Sequence, residues 1–150
     1  MRYFTIEELC YSATAKRLGI DNSPNKEVVE NLNKLVENVL VPLREKYGKP
    51  IMVSSGYRCE KLNKAVGGAA KSQHLTGKAA DIMVVNKDGS VNTKETRKLY
   101  DIIVKQQLPF DQIILEKGTQ QNPQWVHVSY DERQCRRERL FFDGRRYIKI

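Results

Sequence analysis

Only two histidines occur in this 150-residue chain, His74 and His127. His74 stands in SQHLTGKAAD, which ends on Asp81, and His127 stands in WVHVS. Two imidazole nitrogens and one carboxylate oxygen suit a zinc ion. Three protein ligands leave the fourth tetrahedral position to a water, whose pKa falls to about 7 on the metal, whereas a structural zinc site closes all four positions with protein groups. The chemistry predicted from such a set is hydrolysis.

An H-x6-D pair alone is weak evidence, so the elements that must position these residues matter. In WVHVS, Val126 and Val128 are expected to face a core, and strand alternation turns Trp125, His127 and Ser129 to the opposite face. Asp81 falls on an apolar strand predicted over residues 79–85, and Gly77 lets the His74 loop fold back beside it. Further strands are expected at 51–53, 111–116 and 124–130. Thr5 and Glu8 mark a helix start with a capping box. From Asn25, Val28, Val29, Leu32, Leu35, Val36, Val39 and Leu40 recur at three- and four-residue intervals, the stripe of an amphipathic helix. Residues 57–65 and 93–107 read as two more helices, the second stopped by Pro109. No repeat or linker interrupts the pattern. The expected architecture is one α+β domain over residues 1–150, with helices packed against a small, mainly antiparallel sheet.

Composition narrows the classes. A chain of this length buries roughly two-thirds of its unfolded surface and needs no disulfide scaffold. Its three cysteines, Cys10, Cys59 and Cys135, lack CxxC spacing and read as free thiols rather than as metal ligands. No secretory leader is recognisable at the start and no segment is long and apolar enough to span a membrane, so the expectation is a protein made in the cytoplasm that reaches an external substrate only after release or lysis. The net charge is +8, with Arg133, Arg136, Arg137, Arg139, Arg145, Arg146 and Lys149 near the end. Such a surface attracts polyanions, anionic wall polymers among them. No zinc-finger spacing, helix-turn-helix or aromatic-basic RNA motif accompanies the charge, so nucleic acid is not the expected partner. A monomer is expected.

Three ordered motifs carry a resemblance. Ser72 to Asp81 resembles the SxHxxGxAxD signature of the zinc D-Ala-D-Ala carboxypeptidase and phage L-alanyl-D-glutamate endopeptidase family, which shares a hedgehog-like fold. Trp125-Val126-His127 resembles its downstream WxH element, and Ser54-Ser55-Gly56-Tyr57-Arg58 its SGYR element. Together they span residues 51–130. The resemblance implies one zinc ion on His74, Asp81 and His127, a peptidoglycan stem peptide as substrate, Arg58 on the scissile carbonyl or its oxyanion, and Ser72 in substrate binding. Tyr57 and Trp125 are candidate walls of the cleft.

One position departs from the family. A carboxylate commonly stands three residues before the final histidine, and here that residue is Gln124, whose amide cannot accept a proton. Glu116 is the replacement that alternation offers: Ile113 and Leu115 take the core side of their strand, and Glu116 shares the other face with Gln112 and Ile114. A non-catalytic, zinc-containing wall- or ligand-binding module is the competing expectation, resting on Gln124.

Overall fold

A computed structural model describes residues 1–150. Six strands form one sheet in the order β1-β2-β4-β3-β5-β6. They are β1 (Met52–Ser55), β2 (Ala79–Met83), β3 (Gln112–Glu116), β4 (Trp125–Ser129), β5 (Glu138–Phe142) and β6 (Tyr147–Lys149). Every neighbouring pair is antiparallel except β3 and β5, so the sheet is mixed rather than purely antiparallel. The single α+β domain expected from the sequence is present.

One face of the sheet is covered by helices α1 (Ile6–Cys10), α3 (Lys26–Leu35), α4 (Val41–Tyr47) and α6 (Thr93–Lys105). Alternation decides which strand residues meet them. Ile82, Ile113, Leu115, Val126 and Val128 are fully buried against Leu32, Leu35, Val39, Leu40, Leu43, Leu99 and Ile103. Burying each of these side chains contributes about 1.5–3 kcal/mol relative to exposure, which fixes the register and so the residues left on the other face. Two short helices, α2 (Ala13–Leu18) and α5 (Glu60–Ala65), sit at the periphery. No helix is long and apolar enough to cross a membrane.

Half of the capping box forms: Thr5 is the N-cap and its hydroxyl accepts a hydrogen bond from the Glu8 backbone amide. The long apolar stripe runs further than expected, through a π-helical turn at Val36–Leu40 into α4. Pro42 supplies the reason. It has no N–H for the carbonyl four residues back, and its ring crowds that carbonyl, so the preceding turn widens. The helix expected over 57–65 begins only at Glu60, with Cys59 at its N-cap.

Residues 130–150, read from the sequence for their charge, form β5 and β6. The chain leaves β4 and passes around the start of β3, where Asp111 receives it. Asp111 is fully buried, and its carboxylate accepts from Arg136 Nε (2.9 Å), Arg136 Nη2 (3.0 Å), the Arg136 amide (3.1 Å), Gln134 (3.2 Å) and Gln73 (2.9 Å). Its carbonyl accepts from the Glu138 amide, which starts β5. Burial pushes the Asp111 carboxyl up, but the hydrogen bonds from Arg136, Gln134 and Gln73 outweigh it and bring the pKa down to about 2. A folded pKa below the unfolded value of about 3.9 gives stability that is present above that value and lost as pH falls through the folded one. Asp111→Ala is therefore expected to destabilise the fold by about 2–3 kcal/mol in urea unfolding at neutral pH. The difference from the parent should shrink between about pH 4 and pH 2.

Candidate metal centre

His74, Asp81 and His127 come together on the sheet face opposite the helices, and one donor atom from each lies within 4.8 Å of the others. Strand pairing places two of them, since Asp81 on β2 is directly across from His127 on β4. The third arrives on a 3-10 turn, Gln73–Thr76, capped by Ser72, whose hydroxyl accepts from the His74 amide at 3.2 Å. Gly77 ends that turn at φ +74°, and a Cβ there would lie 2.8 Å from the Val28 carbonyl oxygen. Only glycine fits, which is the physical content of the glycine in the SQHLTGKAAD motif.

His74 is oriented by the backbone. Its Nδ1 lies 2.6 Å from the Gly56 carbonyl oxygen, a group that can only accept, so Nδ1 carries the hydrogen and Nε2 presents its lone pair inward. That Nε2 is 3.3 Å from Asp81 Oδ1, and His127 Nδ1 is 3.1 Å from the same oxygen. A lone pair facing a carboxylate oxygen is a meeting of two acceptors and requires a cation or proton between them. All three residues are buried, so water relieves the contact little. Burial acts to raise the Asp81 pKa, yet a proton carried by the imidazoles, His74 first, supplies the charge and hydrogen bonds that hold it below the usual carboxylate range. The donor set, its convergence and its fixed tautomer fit a divalent metal ion.

The ligands line a cleft of about 650 Å³ that also contains Arg58, Ser72, Glu116 and Trp125. Glu116 stands opposite Trp125 across β3 and β4, and its Oε2 accepts from Trp125 Nε1 at 2.8 Å. Burial and then the charge of Asp81 raise the Glu116 pKa, against the opposing effects of His127, the Trp125 hydrogen bond and Arg58. Arg58 donates its amide to the His74 carbonyl at 3.0 Å, while its side chain reaches Ser55 Oγ at 3.4 Å. Its Nε is buried without a hydrogen-bond partner. A desolvated guanidinium N–H left unpaired is costly, and an incoming oxygen acceptor would relieve it.

Gln124 is exposed and does not line the cleft; its backbone N–H donates to the Glu116 carbonyl at 3.0 Å. Tyr57 packs against the core and is likewise absent from the cleft lining. The sequence reading missed the Gly56 carbonyl, the Gln73 bridge to Asp111 and the cleft residues Phe142 and Tyr147. The SGYR glycine was a signal for the first of these. A Cβ on Gly56 would collide with the Leu9 carbonyl oxygen, so Gly56→Ala must move the carbonyl that orients His74. Affinity for Zn²⁺, measured by competition with a chromophoric chelator, is expected to fall by about 10- to 100-fold in that variant.

No significant match is found among curated proteins. The sequence model of the family described as Peptidase M15, however, aligns with residues 2–129, a span that includes all three members of the buried cluster. M15 peptidases are zinc-dependent, and this chain carries a His-Asp-His group able to hold a metal. With most of its length covered by the match, the chain belongs to the M15 family of peptidases.

Proposed function

We propose that this protein is a zinc peptidase that hydrolyses an amide bond in the stem peptides of peptidoglycan. The observation that carries the reading is the buried His74, Asp81 and His127 cluster, with His74 held in the tautomer that turns Nε2 inward and Glu116 in the same cleft. Zinc bound there supplies Lewis-acid polarisation of the scissile carbonyl and makes water more acidic.

The remaining steps belong to the chain. Glu116 takes a proton from the attacking water as its oxygen bonds to the carbonyl carbon, then delivers that proton to the leaving nitrogen as the C–N bond breaks. A raised pKa suits both halves of this task, because the group is basic enough to accept and acidic enough to return. Arg58 offers its unpaired Nε–H to the oxygen on which negative charge develops. Ser72, already accepting from the His74 amide, keeps its own O–H for a substrate oxygen. Gln124 does not enter this scheme; it is exposed and lies outside the cleft.

Glu116→Gln is expected to retain Zn²⁺ and lose about 10²- to 10⁴-fold in kcat. Mass spectrometry of digested muropeptides reads the rate and names the bond; full activity in Glu116→Gln, or in a His127→Ala protein that no longer holds zinc, would sink the reading. Trp125→Phe removes a hydrogen bond that lowers the Glu116 pKa, so the acid limb of kcat/KM is expected to move to higher pH. An unmoved limb would mean that another group accepts the proton.

A further inference from the structure

Three glutamines line the cleft beside the metal ligands, Gln73, Gln112 and Gln134, and each commits an amide donor to a carboxylate. Gln73 Nε2 donates to Asp111 Oδ2 at 2.9 Å, Gln134 Nε2 to the same oxygen at 3.2 Å, and Gln112 Nε2 to Glu138 Oε1 at 2.6 Å. An ionised carboxylate can only accept, so chemistry fixes which end of each amide faces it. The three Oε1 carbonyl oxygens are the free ends, and none receives a hydrogen bond from the protein. The amides are also held from behind. Asp111 is fully buried, and Arg136 spans both carboxylates, donating to Asp111 through Nε and Nη2 while its Nη1 lies 3.9 Å from Glu138 Oε1. Gln134 and Arg136 lie beyond residue 129, where the family match ends.

The position of these amides brings them alongside a substrate at the metal. Gln73 immediately precedes the ligand His74. Gln112 shares the cleft face of β3 with Ile114, which is in register with the ligand His127, and stands roughly 7 Å further along that strand. Their polarity is also definite. Arg58, Lys71 and Lys117 line the same cleft, and they can only donate. Of the acidic groups there, Asp81 belongs to the metal cluster and Glu116 is assigned the proton. A peptide that enters loses water from its N–H groups, and a desolvated N–H without an acceptor is costly. The side-chain acceptors left for it are mainly the glutamine carbonyls. Anchoring adds to their effect, because amides already fixed through Nε2 lose little freedom on binding.

We propose that Gln73, Gln112 and Gln134 form an acceptor wall that receives N–H groups of the stem peptide, from its backbone amides or a side-chain amine, while it lies at the metal centre. The wall rests on the reading of the cleft as a stem-peptide hydrolase.

The test gives the full-length, zinc-loaded protein a synthetic stem pentapeptide with lysine as its third residue, in three forms. One is unaltered, one is N-methylated on the backbone nitrogens of the third and fourth residues, and one has norleucine in place of the lysine. Gln112→Met and Gln134→Met each remove one acceptor and leave the ligand turn untouched. Either variant is expected to raise KM for the unaltered peptide about three- to tenfold. In the parent protein a cost of similar size is expected for the methylated peptide if backbone amides are the donors, or for the norleucine peptide if the amine is. That cost should shrink in the variants, as it does when two changes remove the same contact. Losses that multiply independently, or variants with the parent KM, would overturn the wall. So would a raised KM accompanied by weakened Zn²⁺ binding, because the glutamines would then be acting through the metal centre. If no peptide is cleaved, the peptidase reading itself fails, and an NMR titration with L-alanyl-γ-D-glutamyl-L-lysine decides the wall separately. Shifts of the Gln73, Gln112 and Gln134 side-chain amides support it; shifts confined elsewhere, or none, overturn it.

Discussion

A buried carboxylate oxygen facing an imidazole lone pair is the constraint around which the molecule is arranged. Asp81 and His74 make that contact because the Gly56 carbonyl has already claimed the other imidazole nitrogen. Neither group can retreat. Asp81 is fixed by β2, which is paired on both sides, and His74 by a 3-10 turn closed at each end. Without a cation this would be an unsatisfied, low-dielectric contact of the kind folded proteins avoid. The stability of the hydrophobic face is thus used to hold polar groups in an arrangement that only a positive charge completes.

Much of this was legible in the sequence where a residue's role follows from local periodicity. The apolar stripe from Val28 to Leu40 and the alternation in WVHVS each predicted which side chains face the core, and Thr5 marked where a helix begins. His127 and Glu116 could therefore be placed on faces, and Asp81 on its strand, before any pairing was known. Register could not be read in the same way, because it depends on contacts far apart in the chain. That Glu116 stands opposite Trp125, and thereby gains an indole hydrogen bond, is set by how β3 meets β4. The same holds for Gln124, whose spacing from His127 did not reveal that it lies outside the cleft.

The last twenty residues were the least legible. Their arginines read as a charged surface, and all six are exposed, yet Arg136 is also bound to a fully buried Asp111. β5 joins β3 in parallel without a crossover helix because β4 has already brought the chain back to the start of β3. There it turns into β5 around the Asp111 carboxylate, which this ion pair holds. The same carboxylate accepts from Gln73, next to the ligand His74, so the far wall of the cleft and the metal-bearing turn share one anchor.

The first helix reaches the metal centre without presenting a side chain to it. The Leu9 carbonyl oxygen accepts from the Tyr57 amide at 2.8 Å and occupies the space beside the Gly56 Cα. Gly56 in turn orients His74. Because this link is made of main-chain atoms, an alanine scan along α1 would leave it intact and register only the core packing of Leu9. Its only side-chain signature is an absence, the hydrogen of a glycine forty-seven positions away in the chain from the carbonyl that requires it.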